Sequence, residues 1–408
     1  MMELKEMNHP FRFALLLATF SVLGPFTFDM YLPSFPQIMT YFGTKASTVQ
    51  LSLTACLLGL AFGQIIMGAL SDVYGRRKPL IIAMIIYFLS SIGCAFSPNI
   101  VVFILLRFIQ GFAVSAGSIS NAIVRDTYNG VELTRFFSLL SMMGSVGPLL
   151  APLAGSTVIS FTSWIGVFIF LGLLGLFLTI NTTWRLKESL PKEQRVSADF
   201  RGLLNNFKTL IKNKMFMGYA LSQGLMLAGI FAYVSGTPFI YQKIYGVTPQ
   251  FFSMLFALNG ISLILGAQIV RRLAGKMTET RILQMGLSLA FIASTAVLIV
   301  VLLHGPLVSL VIPLFLFVAS LGLIGPVSFT LAMGSQGHIA GSASALLGVL
   351  PFLLGSCTSP LVGIAGEYSA IPLGVILFIT SSLALTAYVV LVKRANQFTS
   401  EKEMSKAQ

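Results

Sequence analysis

Apolar residues in this chain run in long blocks, where half-buried strands and helices would show periods of about 2 and about 3.6. A helix that crosses the hydrocarbon of a bilayer needs about 20 such residues. Twelve windows qualify, at about 12–35, 50–71, 79–97, 100–124, 135–160, 163–184, 214–241, 250–271, 282–303, 307–333, 340–365 and 370–392. The pattern predicts an all-α integral membrane protein with twelve transmembrane helices in two six-helix bundles. The longest polar stretch, RLKESLPKEQRVSADFRGLLNNFKTLIKNK from Arg185, separates the halves. The expected units are a first bundle over 1–184, a linker over 185–213, a second bundle over 214–394 and a tail over 395–408.

Composition removes the soluble alternatives. Of 408 residues 56% are hydrophobic and 10% charged, with a mean hydropathy of +0.88. A soluble domain carries about 25% charged residues, so lipid must be the solvent here. The net charge of +13 is explained by where the bases fall, without any nucleic acid. All but three of the 26 Lys and Arg residues lie on one side of the predicted spans, from Lys5 and Arg12 through Arg76, Arg77 and Lys78 to Lys402 and Lys406. The exceptions are Lys45 and Lys243 on the other side and Arg107 within a span. The positive-inside rule then puts both termini in the cytoplasm, and an even number of spans agrees. The expected location is the cytoplasmic membrane. The N-terminal apolar run outlasts a secretory signal and reads as an uncleaved first helix. Trp164 and Trp184, at opposite ends of span 6, suit interfacial anchors. Cys56, Cys94 and Cys357 fall inside spans without paired spacing and read as packing residues.

Only one acidic residue, Asp29, sits away from the end of a span. An ionised carboxylate in hydrocarbon must face protein, find a partner or take a proton, so its default reading is functional. Counting about 1.5 Å per residue from each entry point puts Asp29 and Arg107 at comparable depth, in the outer half of the membrane. The two are expected to meet directly or through water, Arg107 favouring the charged acid and desolvation the neutral one. A static ion pair between spans 1 and 4 is the alternative. Polar residues Gln110, Gly111, Ser118 and Asn121 on span 4, with Gln223, Met226, Ile230 and Tyr233 on span 7, Asn259 on span 8 and Phe26 beside the acid, outline a cavity. Few polar groups among Met and aromatic surfaces suit varied amphipathic molecules.

The loop GALSDVYGRRK, Gly68 to Lys78, joins spans 2 and 3. Its Asp72 lies at a helix C-terminus, where the macrodipole disfavours negative charge, so it needs Arg76, Arg77, Arg125 or a helix N-terminus of the other half. With Gly68 and Gly75 it reads as a conformational latch or, more plainly, as a charged turn that sets topology. GAQIVRRLAGK, Gly266 to Lys276, repeats the pattern 198 residues later with Val270 in place of Asp72. In span 5 Pro148 and Pro152 stand among Gly144, Gly147 and Gly155. That pattern makes a kinked helix that seals a cavity, or simply a tightly packed one.

GALSDVYGRRK resembles the loop signature of the major facilitator superfamily, LLRFIQG (Leu105 to Gly111) its span-4 signature, and GSVGPLLAPLAG (Gly144 to Gly155) the span-5 signature of its antiporters. FDMYLPSFP in span 1, IVRD ending at Asp126 and YVSGTPFIYQ in span 7 narrow the resemblance to the bicyclomycin-resistance (Bcr/CflA) group of drug/proton antiporters. The resemblance spans nearly the whole chain. It implies the major facilitator fold and proton-coupled efflux of hydrophobic or cationic drug-like compounds by alternating access. A proton-linked symporter or an exporter of an endogenous metabolite is the other use of such a fold. Some relatives carry a second acid earlier in span 1, where this chain reads SVLGPF, so coupling is expected to rest on Asp29 alone.

The expected partners are a small-molecule substrate, protons and membrane lipid, with no nucleic acid, cofactor or metal, and the chain is expected to act as a monomer. A membrane enzyme is disfavoured: there is no nucleophile elbow or metal-ligand cluster, and His9, His304 and His338 fall at span ends or in loops. An ATP-driven pump is disfavoured too, since Gly275 and Lys276 are followed by Met277 and no phosphate loop forms.

Overall fold

The computed structural model describes residues 10–195, 200–334, 336 and 339–393. Lys5, His9, His338, Arg394, Lys402, Lys406 and the 395–408 tail lie outside the described residues. Among the described residues twelve helical segments are long and apolar enough to cross a membrane. Spans 1 to 6 are Leu15–Tyr41, Ala46–Tyr74, Arg77–Ala95, Ile100–Thr127, Gly130–Phe161 and Trp164–Arg185. Spans 7 to 12 are Lys214–Ile244, Pro249–Leu273, Glu279–Leu302, Leu307–Met333, Ala340–Gly363 and Ile371–Lys393. Each matches one apolar window of the sequence to within a few turns. The stretch between the halves is less featureless than its polarity suggests: it contains an amphipathic helix, Phe200–Lys212, packed on spans 7 and 11. Its Asn206 donates to the Ser342 hydroxyl at 3.0 Å.

Close helix approach in lipid depends on small residues, because lipid tails compete equally for apolar surface. In the first half, a Cβ on Gly59 or Gly111 would overlap backbone of span 4 or span 2, so these glycines let the two helices touch. The second half repeats the device with Gly266 and Gly322 between spans 8 and 10. Span 5 packs on span 1 through Gly147, where a Cβ would stand 2.9 Å from Pro25 Cγ, and through Gly155, where it would overlap the Met30 carbonyl oxygen. Gly144, grouped with them in the sequence, has open space beside it and takes no part in that seam. Both prolines are accommodated inside one continuous helix, Gly130–Phe161.

Between the halves, span 2 lies against span 11 and span 5 against span 8. The hydrogen bonds that cross directly from bundle to bundle gather at one end of the molecule. Gln50 Nε2 donates to the Ser235 carbonyl at 3.0 Å, Thr54 to Ser356 at 3.3 Å, Gln242 to Pro33 at 3.1 Å and Ser253 to Pro152 at 2.9 Å. Phe35 meets Phe239 there, ring centroids 5.8 Å apart. At the opposite end, which carries Arg76, Arg77, Arg271 and Arg272, no bundle-to-bundle hydrogen bond or ion pair joins the described residues. Among the described residues the two halves are therefore zipped at one end and unbonded at the basic end.

Trp164 departs from its expected role. It is buried among Tyr41, Phe42, Phe103 and Phe168, because an aromatic cluster at the closed end takes it up, while Trp184 is 82% exposed as an anchor should be. Cys56 and Cys94 are buried, but Cys357 is exposed.

Candidate functional site

Span 1 is not one helix. Its first helix, Pro10–Asp29, stops at the acid; a turn, a 3₁₀ segment at Leu32–Ser34 and a short helix at Phe35–Tyr41 follow. Pro33 and Pro36 lack the N–H that would continue the ladder, and the Ser34 hydroxyl donates back to the Tyr31 carbonyl at 2.6 Å. The break puts Asp29 where the last carbonyls of a helix lose their partners. The residue is 8% exposed, and neither an ion pair nor a hydrogen bond reaches its carboxyl among the described residues.

The expected direct meeting with Arg107 does not occur among the described residues. That guanidinium is completely buried inside the first half. It donates to the Thr27 carbonyl at 3.0 Å and to Gln110 Oε1, and lies 4.2 Å above the Tyr31 ring and 5.6 Å from that of Phe168. Counting residues estimates depth in the membrane but says nothing about which flank of a helix a side chain takes. The dispersed guanidinium charge is met by a carbonyl at a helix end and by aromatic faces, both of which favour a cation. Just beyond Asp29, the 3₁₀ segment Leu32–Ser34 lies against spans 7 and 8. The break beside the acid therefore lies at the interface, while the hydrogen bonds of the base stay within the first half.

The cavity-lining set divides. Ser118 and Asn121 are exposed, and Phe26 and Gln223 are half-buried, with Gln223 Oε1 lacking a donor. Gln110 is a correction: it is buried, accepts from Arg107 and donates to Ser91 Oγ at 2.7 Å, so it belongs to the interior of the first half. The reason is a 3₁₀ stretch, Ser115–Ser118, inside span 4. Tightening from about 3.6 to about 3.0 residues per turn rotates everything after it relative to Gln110, so no single stripe runs down the helix. Gly111 faces span 2. Met226 is a second correction: it is fully buried in the second half and not on a cavity wall, although Ile230 beside it is half-buried. Tyr233 and Asn259 are buried together, Asn259 Nδ2 donating to the Tyr233 hydroxyl at 2.8 Å, and the Tyr233 ring stacks on Phe256 with centroids 5.5 Å apart. An almost wholly apolar cleft of about 230 Å³ opens nearby between Leu227, Leu263, Ala267 and Leu321.

At the basic end, Arg76 is the centre of the loop cluster. Its guanidinium donates to Asp72, to the Ser71 hydroxyl at 2.8 Å and to Asp126 Oδ2 at 2.9 Å. Burial alone would disfavour that charge; the bonds to Asp126 and Asp72 outweigh it and hold the Arg76 pKa above the ordinary arginine value. Gly75 has φ 88°, a backbone that side chains rarely adopt, and a Cβ there would run into Glu188. Gly68 has open space around its Cβ position. Two loop residues differ from expectation. Arg77 sends its guanidinium to the Thr183 carbonyl and not to a carboxylate, and Arg125 is exposed, with Asp126 beside it taking the ion pair. Among the described residues Asp72 pairs with Arg76 of its own loop and with no residue of the other half.

Glu188, just after span 6, was not singled out by the sequence. Its carboxylate accepts from the backbone N–H of Arg76 at 2.7 Å and of Arg77 at 3.3 Å, capping the first turn of span 3. An acid among the bases that follow span 6 was the available signal, but nothing in the spacing tied it to a loop more than a hundred residues earlier.

Residues 15–360 match the family model for the Major Facilitator Superfamily. The MFS-type transporter YdgK of Bacillus subtilis, itself called uncharacterized, is 48% identical over 93% of this chain and 95% of its own. The bicyclomycin resistance protein homolog of Haemophilus influenzae is 27% identical over 96% of this chain and 98% of its own. Among solved structures, a D-xylose-proton symporter superposes with a TM-score of 0.75 at 16% identity, covering 93% of this chain and 98% of that one, a likeness of fold alone. Twelve spans, two bundles, an unpaired intramembrane acid and these relatives agree on a multi-pass membrane transporter rather than an enzyme, and the chain belongs to the major facilitator superfamily.

Proposed function

We propose that the chain exports hydrophobic or cationic drug-like compounds across the cytoplasmic membrane in exchange for protons, by alternating access of two bundles. In this reading both termini and the basic end face the cytoplasm, so the closed end is external and the conformation is open inward. Residues 1–184 and 214–394 are the rocking units, 185–213 the linker and 395–408 a cytoplasmic tail. The proton gradient is the energy source, no cofactor takes part, and the monomer is the working unit.

The observation that carries the reading is the buried Asp29 carboxyl, set at a helix break next to the interface with no cation paired to it among the described residues. In such a place the acid is stable neutral and becomes ionisable when water or a substrate cation reaches it, which is what alternate loading of proton and drug requires. The exposed Ser118 and Asn121, the half-buried Phe26 and the apolar cleft offer weakly polar contacts to a compound coming from the basic end. The relatives named for bicyclomycin and chloramphenicol resistance support a drug-like substrate. A charge crossing 100 mV contributes about 2.3 kcal/mol to such a cycle, in addition to any pH difference.

The test is exchange in reconstituted vesicles under an imposed pH gradient, with ethidium as the cationic and chloramphenicol as the neutral probe. Wild-type protein should accumulate at least one probe against its gradient, and Asp29→Asn should carry it only downhill. Uphill transport by Asp29→Asn at the wild-type rate would refute the coupling role. Probe entering together with protons, in place of exchanging for them, would refute antiport.

A further inference from the structure

We propose that the helix Phe200–Lys212, which lies against the starts of spans 7 and 11, is a binding site for an anionic phospholipid of the inner leaflet. The inference goes beyond the transport reading and does not depend on Asp29; only the choice of leaflet uses the proposed orientation.

The helix ends one residue before span 7. Between them Asn213 takes an extended backbone, φ −79° and ψ 105°, and its side chain accepts from the Phe216 N–H at 3.1 Å, so span 7 starts afresh. The chain therefore turns at Asn213 and leaves the line of span 7. A hydrogen bond of 3.0 Å from Asn206 to Ser342, in the first turn of span 11, carries the helix sideways across the ends of two spans, along the membrane surface.

At about 100° per residue the helix has four sides. Leu210, fully buried, and Asn206 hold it to the bundle. About a quarter-turn round are Phe207, which packs on the core, and Ile211, which is 58% exposed. Opposite these two stand Asn205 and Thr209, both exposed. The fourth side, away from the bundle, holds the exposed Lys208 and Lys212. With the apolar side turned down into hydrocarbon and the polar side up to water, the two ammonium groups come out level with the phosphates of neighbouring lipids. That is the geometry of a helix lying in the interface.

Charge points the same way. Lys214, at the start of span 7, is exposed too. Lys393 ends span 12, whose Val392 a Cβ on Gly218 would overlap, one turn further into span 7. From Phe200 to Thr278 the sequence has no Asp or Glu. Among the described residues no ion pair engages any of these four lysines. Unpaired ammonium groups beside an exposed apolar side chain match a ligand that has both a phosphate and acyl tails. A soluble anion would leave Ile211 in water.

The test is native mass spectrometry of the full chain in detergent, titrated with phosphatidylglycerol or with phosphatidylcholine of the same acyl chains. The wild type should hold phosphatidylglycerol more tightly. One lysine near an anionic surface contributes about a fivefold gain in affinity, so Lys208→Gln with Lys212→Gln should weaken phosphatidylglycerol by about 30-fold and leave phosphatidylcholine unchanged. Arginine at both positions should preserve the binding, and Ile211→Ser should weaken both lipids. Arg271→Gln with Arg272→Gln removes two exposed bases of the same end that lie outside the helix and should change little. Equal losses from the two pairs would overturn the site and reduce it to general surface charge. Absence of any preference in the wild type, or displacement of the lipid by an equimolar amount of inorganic phosphate, would overturn it as well. Should the double Gln variant fail to insert, Lys212→Gln alone reads the same contact as a fivefold loss.

Discussion

A guanidinium buried without a carboxylate is the most unusual residue in the molecule. Arg107 is stabilised by the Thr27 carbonyl, by Gln110 and by the faces of Tyr31 and Phe168, while its Nε has no acceptor. These contacts need a planar cation, and lysine supplies only a point charge. Arg107→Lys should therefore destabilise the protein by about 2–4 kcal/mol, the sum of a charged hydrogen bond and a desolvated cation–π contact. Thermal unfolding in detergent would show it, and a melting curve equal to wild type would count against this assignment. Both Asp29 and Arg107 were recognisable in the sequence, because ionisable groups inside apolar blocks are rare and expensive. Their separation was not recognisable. Residue counting gives height in the membrane, and it does not show that the base turns to Thr27 and Gln110 and leaves the acid without a partner among the described residues.

Elements show the same division between what a pattern carries and what packing decides. The twelve spans were legible because each is one apolar block, and no tertiary detail is needed to see it. The 3₁₀ stretch in span 4 left no trace, since Ser115, Ala116, Gly117 and Ser118 suit an α-helix about as well; it follows from close packing against span 1, where a Cβ on Gly117 would stand 3.0 Å from the Phe20 carbonyl. In span 5 three glycines look alike on paper and differ in the fold. Gly155→Ala should cost about 1–3 kcal/mol, because the new methyl pushes on the backbone of Met30 beside Asp29. Gly144→Ala meets open space and should be neutral or stabilising by about 1 kcal/mol through helix propensity. A comparable loss in both would contradict the seam described between spans 1 and 5. Span 3 makes a third case: the Glu188 carboxylate at its first turn satisfies two orphan N–H groups and complements the helix dipole. Glu188→Ala should cost about 1–2 kcal/mol by the measure of other N-terminal caps, read in the same unfolding assay.

At the scale of the whole molecule, the sequence describes two bundles but not how they lean, because two states separated by a few kcal/mol share one set of spans. The closed end is held by a small number of polar contacts between bundles, and Gln50 is wedged deepest among them: a Cβ on Gly363 would overlap its Oε1, and its Nε2 donates to Ser235. Gln50→Glu keeps the shape but turns that donor into an acceptor facing a carbonyl. Burying an unmet acceptor costs about 1–3 kcal/mol, and about 1.4 kcal/mol is a tenfold change in a two-state equilibrium. The cost falls only on the conformation in which this end is closed, so the opposite conformation should gain roughly 5- to 140-fold in population. Spin labels at Phe161→Cys and Leu303→Cys, exposed positions of the two halves near the closed end, report the shift by double electron–electron resonance. The Gln50→Glu protein should show a longer distance component that is minor in the unsubstituted background. An unchanged distance distribution would mean that apolar packing such as Phe35 on Phe239, and not the Gln50 bond, decides which end of the transporter is shut.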